Sequence, residues 1–304
     1  MTSYVVGPVR VSVPATSANL GPGFDSLGLA LDLRDELEGE VLAEGLVVEV
    51  SGAGADAVPL DESHLVVCAM RAAFEALGGQ PPGLRLRCAN VVPHARGLGS
   101  SSAAIVGGLV LARALVTDGS SLLDDAALFE LGARIEGHPD NVSPALHGGF
   151  TISGHDDDGF WTVGSPVDPR LSVVVLVPPD GVATEVARGL LPGQVPHADA
   201  AADAGRTALL VAALAGRPEH LLRATRDYLH QEQRRPAMPA SLALVDALRA
   251  DGVPAVVSGA GPTVLAFADG PAARDRLLER CPDGWVAHAL AISADGARVL
   301  RPGE

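Results

Sequence analysis

Residues 91–111, VVPHARGLGSSSAAIVGGLVL, restrict this chain more than any other stretch. An apolar run reaches Pro93, a glycine and serine cluster follows, and residues 103–115 read as a helix rich in Ala and Leu with small residues at close intervals. A strand, a glycine loop and a helix N-terminus in succession can hold a phosphate. Glycine lets the backbone approach the anion, the first-turn N–H groups point at it, and the helix dipole favours negative charge. The same pattern also describes a serine-capped buried helix whose glycines allow close packing. The lysine-bearing phosphate loop G-x-x-x-x-G-K-[ST] is excluded, because all 22 basic residues are arginine. With lysine absent, no mechanism can use a lysine amine as base or electrophile.

The chain has 304 residues, enough for a large core or two domains of ordinary size. Aromatics make up only 3% against 47% hydrophobic residues, so the core must be mostly Ala, Val and Leu. A formal charge of −15 argues against nucleic acid or an anionic membrane as partner. An anionic substrate must then be held locally, by arginines, helix ends or a metal. Cys68, Cys88 and Cys281 lack metal-ligand spacing and are odd in number, which fits a reduced, cytoplasmic setting. No signal peptide is read at the N-terminus, and the apolar run 103–112 is interrupted by Arg113 before it could span a bilayer.

Along the chain, 9–13 reads as a strand running into a turn-rich loop at 14–25, and 46–50 as a second strand. Helical spacing covers 62–77 and 124–135, with 84–92 the strand that feeds the glycine loop. The acidic turn HDDD falls between two strand-like runs, and the domain change is placed there, giving 1–155 and 156–304. Beyond it, strands are expected at 171–177, 253–257, 264–268 and, last, 285–292. Helices are expected at 184–190, 198–215, 218–229, 240–250 and 271–280. Strands and helices alternate, so the class is α/β or α+β.

Four stretches carry chemistry-bearing residues. PATSANLGPGFD holds Asn19 and Asp25; EGHPDN holds His138, Asp140 and Asn141; TEVARGLLP holds Thr184 and Arg188; and SGAGPT holds Gly259 and Gly261. Taken singly, each could be a turn, a satisfied loop or a solvated face. Together with P-x-x-x-G-L-G-S-S-x-A they resemble, in order and spacing, the three motifs of the GHMP kinases, in their homoserine-kinase form. HQEQR resembles the same branch's H-x-P-Y-R, with Glu232 and Gln233 in place of the usual Pro and Tyr. Arg235 is therefore the alternative to Arg234.

The resemblance implies an α+β fold of two domains, an N-terminal one like domain 2 of ribosomal protein S5 and a ferredoxin-like C-terminal one, with the active site between. It implies ATP bound by Pro93, Arg96, Gly97, Leu98, Gly99, Ser100, Ser101, Ser102 and Ala103, with Gly259 and Gly261 closing over them. Mg²⁺ would sit between Ser101 and Glu130, with Ser100 and Glu136 as the other candidates; oxygen donors of this kind suit that ion. Arg188 and Arg234 would grip the carboxylate of an amino-acid substrate, Asp25, Asn19 and His138 its remaining polar groups, and Thr184 would lie near the phosphate in transit. Asp140 is the natural general base, and Asn141 could orient the accepting hydroxyl instead; a loose transition state makes a base optional. The implied reaction is ATP-dependent phosphorylation of the L-homoserine hydroxyl, by a homodimer. Its alternatives are a kinase of an isoprenoid intermediate or sugar, and a catalytically silent sensor. The adenine contacts stay open, since Ser63 and His64 stand where the family often has Asn.

Overall fold

The computed structural model describes residues 2–301. Strand β1 (Val9–Asn19) pairs antiparallel with the long β2 (Gly23–Leu42). It runs six residues further than the expected 9–13 because a register shift between Pro14 and Ala15 accommodates the proline's missing N–H. The turn is confined to residues 20–22, entered through Asn19 and Leu20 at positive φ (66° and 50°). Then come β3 (Gly45–Gly52), α1 (Leu65–Ala76) and β4 (Gly83–Asn90), with β3 and β4 parallel, followed by α2 (Ser100–Leu115), the single turn α3 (Gly119–Leu122) and α4 (Asp125–Glu136).

EGHPDN, which follows the helix expected at 124–135, is a helix junction. Gly137 closes α4 in the left-handed region (φ 87°), and Pro139 opens α5 (Pro139–His147) at its first position. β5 (Phe150–Asp156) and β6 (Gly159–Ser165) form a hairpin around the acidic turn, and β5 also pairs with β2. The expected division at 155/156 therefore falls inside a hairpin. The chain changes sheet only between Ser165 and Leu171.

The second sheet is antiparallel: β7 (Leu171–Val177), β8 (Ala255–Val257), β9 (Val264–Asp269) and β10 (Val286–Leu290), in the order β10-β7-β9-β8. Between these strands lie α6 (Thr184–Gly189), α7 (His197–Leu214), α8 (Leu221–Ala224), α9 (Pro239–Ala250) and α10 (Pro271–Leu278). The helix expected at 218–229 is only a 3-10 turn (Pro218–His220) and α8. Beyond it, Asp227 takes the N–H groups of Leu229, His230 and Gln231 and folds the backbone into a turn. The strand at 285–292 is not the last: β11 (Arg298–Val299) returns to the first sheet beside β1.

Alternation along β7 explains the layering. Val173, Val175 and Val177 join a core that also holds Leu27, Leu29 and Leu31 of β2, so the two sheets share apolar surface; Val174 and Leu176 face a separate core with Leu242, Val245 and Leu248 of α9. Each such fully buried side chain contributes about 1.5–3 kcal/mol. A third core fills the space between the first sheet and α1, α2, α4 and α5. There the small residues of α2 have a packing reason: a Cβ on Gly108 would stand 2.7 Å from Val66 O, so α1 and α2 meet backbone to backbone.

Candidate active site

Between these layers lies a cleft of about 470 Å³, walled by all four candidate stretches. The glycine loop forms its middle. Gly99 is the N-cap residue of α2, in the left-handed region at φ 67°. Because the cap is glycine rather than serine, no side chain closes the helix end, and the first-turn N–H groups of α2 remain available to an anion. The serines point elsewhere: Ser101 and Ser102 donate through Oγ to Glu136 Oε1, at 2.6 and 2.8 Å.

That contact corrects the expected metal pair. Glu130 does not line the cleft; its carboxylate accepts from Phe160 N of β6 at 2.8 Å and pairs with Arg134 on its own helix. Glu136 lines the cleft with Ser100 and Ser101. A carboxylate and hydroxyls form a hard oxygen set that fits a magnesium ion completed by phosphates and waters.

Three other expected nucleotide contacts move off the cleft. Pro93 and Gly261 are not on its wall, and Ser102 is fully buried beneath it. Arg96 is on the wall, but its guanidinium donates to the carbonyls of Pro178, Pro179 and His94, which ties the glycine loop to the segment after β7. Gly97, Leu98, Gly99, Ser100, Ser101, Ala103 and Gly259 line the cleft.

SGAGPT closes against this loop. Ser258 Oγ donates to Gly97 O at 2.6 Å, Gly259 N donates to Ala18 O, and Thr263 N donates to Arg96 O. Asn19 spans both motifs: its Nδ2 donates to Gly259 O, and its Oδ1 accepts from Asp25 N, each at 2.9 Å. Expected as a substrate contact, Asn19 thus spends both ends of its amide on holding the wall together.

Asp25 is not on the cleft wall itself but accepts from Arg188, which is, in a two-pronged ion pair at 2.7 and 3.1 Å, and these hydrogen bonds to Asp25 hold the guanidinium above its ordinary pKa. Arg234 also reaches the cleft although only 1% exposed, and burial lowers its pKa to about 10, so it stays charged at neutral pH. The alternative, Arg235, is spoken for by Glu232 and Asp246 outside the cleft. Phe24, unmentioned by the sequence reading, lies 5.6 Å from both the Arg188 and the Arg234 guanidinium carbons.

His138 Nδ1 donates to Asp140 Oδ1 at 2.7 Å, and its Nε2 is 3.9 Å from Glu136. Burial alone would lower the His138 pKa; Asp140 and then Glu136 outweigh it, and the net direction is upward. Asn141 Oδ1 accepts from Thr16 Oγ1, which fixes its amide against β1, and Thr184 is exposed on the rim at the start of α6. Another part of the wall includes Val58, Pro59, Ser63, His64, Leu65 and Asn90. His64 is 5% exposed and its Nδ1 is buried without a hydrogen-bond partner; burial, then His94, lowers its pKa. Its position before α1 was visible in the sequence, but nothing there distinguished it from a helix-start histidine.

The GHMP kinases N terminal domain family matches residues 64–149, and the GHMP kinases C terminal family matches 209–287. The chain is 56% identical over 298 residues to a homoserine kinase of Streptomyces avermitilis, covering 98% of this chain and 97% of that one. Against the homoserine kinase of Streptomyces coelicolor the identity is 55%, covering 98% and 96%. Among solved structures, a homoserine kinase from Cytophaga hutchinsonii superposes with a TM-score of 0.86 at 25% identity, covering 98% of this chain and 99% of that one. Mevalonate kinase from L. major shares the fold at a TM-score of 0.70 and 15% identity, covering 96% and 98%.

Proposed function

The chain belongs to the GHMP kinase family, in its homoserine-kinase branch, and from that premise we propose how its cleft phosphorylates the side-chain hydroxyl of L-homoserine with ATP. One observation carries the reading: two arginines, Arg188 and Arg234, line the same cleft as an uncapped helix N-terminus, and an acid, Asp25, is paired with Arg188 beside it. The first set matches a zwitterion, the second a polyphosphate.

The triphosphate lies along residues 97–101 and takes the open N–H groups of α2. The base occupies the wall at Val58, Ser63, His64 and Asn90. Glu136 and Ser101 would hold Mg²⁺, and it would neutralise charge on the phosphates. Homoserine enters between Asp25 and Arg188 and replaces their ion pair by two new ones, its ammonium to Asp25 and its carboxylate to Arg188 and Arg234. Both charges of the substrate are then needed, since either alone would leave one partner of the former pair unmatched.

The accepting hydroxyl lies at Asp140 and Asn141. Asp140 is buried beside the N-terminus of α5 and held by His138, so it is a fixed acceptor that orients the hydroxyl and takes its proton late. Phosphoryl transfer draws mainly on positioning and charge stabilisation, which this arrangement supplies without a strong base. Thr184 at the rim donates to the phosphoryl group in passage. Ser101, Glu136 and Asp140 are all in place, which disfavours a catalytically silent sensor. Assembly as a homodimer is proposed on the family resemblance. No helix among the described residues is long and apolar enough to cross a membrane.

The test is turnover of purified protein with MgATP against L-homoserine, L-threonine, mevalonate and galactose. A kcat/KM for homoserine at least about tenfold above the others is expected; equal or better use of another acceptor would overturn the substrate assignment.

A further inference from the structure

Arg234 is the largest side chain buried beyond 98% in this protein, yet part of it reaches the cleft. Its guanidinium is held by three acceptors. Nε donates to Ala187 O at 3.4 Å, and Nη1 donates to Gly259 O at 3.2 Å and to His230 Nδ1 at 2.9 Å. Nη2 makes no hydrogen bond among the described residues, so it is the nitrogen left for an incoming carboxylate.

His230 is fully buried, and its partners dictate its protons. Its Nε2 lies 2.7 Å from Gly21 O. A carbonyl only accepts, so Nε2 carries the hydrogen; a guanidinium only donates, so Nδ1 carries the lone pair. The imidazole is therefore neutral and in one tautomer. Burial lowers its pKa and outweighs Asp227, whose carboxylate is 3.7 Å from Nε2, too far for a hydrogen bond.

The carbonyl that sets this tautomer belongs to the turn of the first motif. Gly21 has φ 88°, and a Cβ there would stand 2.7 Å from Thr225 O, so the turn itself is fixed by packing. Phe24, the second residue of β2 and just past this turn, keeps its ring 5.2 Å from His230.

We propose that His230, in its Nε2–H tautomer, is a positioning residue that ties Arg234 to the Gly21 turn and so aims Nη2 at the substrate carboxylate. The inference rests on reading the cleft as the homoserine site. His230 touches neither substrate nor nucleotide; it acts through Arg234. In the sequence its only mark is its place in HQEQR, four residues before the arginine.

Two variants separate the two ends of the imidazole. His230→Asn puts an amide oxygen where Nδ1 stood, so it keeps the acceptor for Arg234 and loses the donor to Gly21. His230→Gln reaches Gly21 and loses the acceptor for Arg234. The expected result is a KM for homoserine about tenfold higher in the Gln variant, which loses the acceptor for Arg234 outright, and about threefold higher in the Asn variant, which keeps that acceptor but not its tether to Gly21. The kcat and the KM for MgATP should stay within about twofold in both. Equal KM changes in the two variants, or a matching rise in the KM for MgATP, would overturn the proposal.

Nitrogen-15 NMR of histidine-labelled protein checks the geometry without any turnover. It should show one histidine with protonated Nε2 and bare Nδ1 that does not titrate between about pH 6 and 8. A protonated Nδ1 on His230, assigned by its loss in either variant, would overturn the proposal even in an active enzyme. Wild-type protein that ignores homoserine would instead remove the substrate reading, while the same spectrum still decides whether His230 holds Arg234.

Discussion

Glu130 and Glu136 share helix α4, and only one of them faces the chemistry. Six residues at about 100° each leave them roughly 120° apart around the axis, so they serve different neighbours: Glu130 meets β6, Glu136 meets the α2 serines. Glu130 stands six residues ahead of EGHPDN and Glu136 is its first residue, so spacing alone could not separate them. Glu136→Gln should cut kcat at least about tenfold and raise the Mg²⁺ concentration needed for half-maximal rate, because a carboxylate oxygen is lost from the metal set. Glu130→Gln should leave kcat within about twofold. A magnesium titration of the two variants decides between them, and the reverse ranking would restore the original pair. His64 is legible in the same partial way. Its residue type was on view, but the orphaned Nδ1 emerges only once α1 is seated against the cleft. His64→Leu should raise the KM for ATP by about two- to tenfold with the KM for homoserine unchanged, the worth of one neutral hydrogen bond; an unchanged KM for ATP would take His64 out of the base site.

At the level of elements, what the sequence revealed were the loops whose residue types are chemically demanding. The glycine cluster, HPDN and the two arginines come together on or beside one cleft. What it concealed were features set by partners distant in the chain. β1 continues past Pro14 because β2 is there to absorb a bulge, and EGHPDN becomes a helix junction because Gly137 and Pro139 serve as end and start signals. The 218–229 stretch had helical composition, but Asp227 captures three backbone N–H groups and stops it. The glycine loop also has a demand unrelated to phosphate. Gly97 sits at φ 71°, and a Cβ there would run into Ser258 O and lie 2.9 Å from Gly261 N. Gly97→Ala should therefore cost about 1–3 kcal/mol of stability and raise the KM for ATP, because the loop and SGAGPT can no longer close together. Thermal melts with paired ATP kinetics test this; a variant as stable as wild type would show that the two motifs are not locked.

For the whole molecule, the two sheets behave as joined layers. They share a core, the C-terminal β11 returns to the first sheet, and Asn19, Ser258 and Arg96 stitch the cleft walls across the join. A single cut in the sequence could not express that, and the acidic turn proved to be the tip of a hairpin. The second layer also carries a buried acid whose ionisation opposes folding. Asp203, 3% exposed on α7, has its pKa raised from 3.8 to about 6, first by burial and then by Asp227 against the hydrogen bond from Tyr228 N. A carboxyl raised in the folded state favours folding below its unfolded pKa, and that contribution is lost as pH rises from about 4 through 6. Asp203→Asn should thus raise the melting temperature at pH 8 by roughly 2–4 °C and leave it unchanged near pH 4; a gain at pH 4 instead would reverse the assignment.

One cleft, as proposed, receives a polyphosphate on bare helix amides and a zwitterion between an acid and two guanidinium groups. The most direct measurement is a crystal structure of the protein with L-homoserine and a non-hydrolysable ATP analogue. The phosphates should lie against residues 97–101, with the Asp25–Arg188 pair parted and the substrate carboxylate on Arg188 and Arg234. Phosphates bound elsewhere, or homoserine bound with the Asp25–Arg188 pair intact, would contradict this proposal.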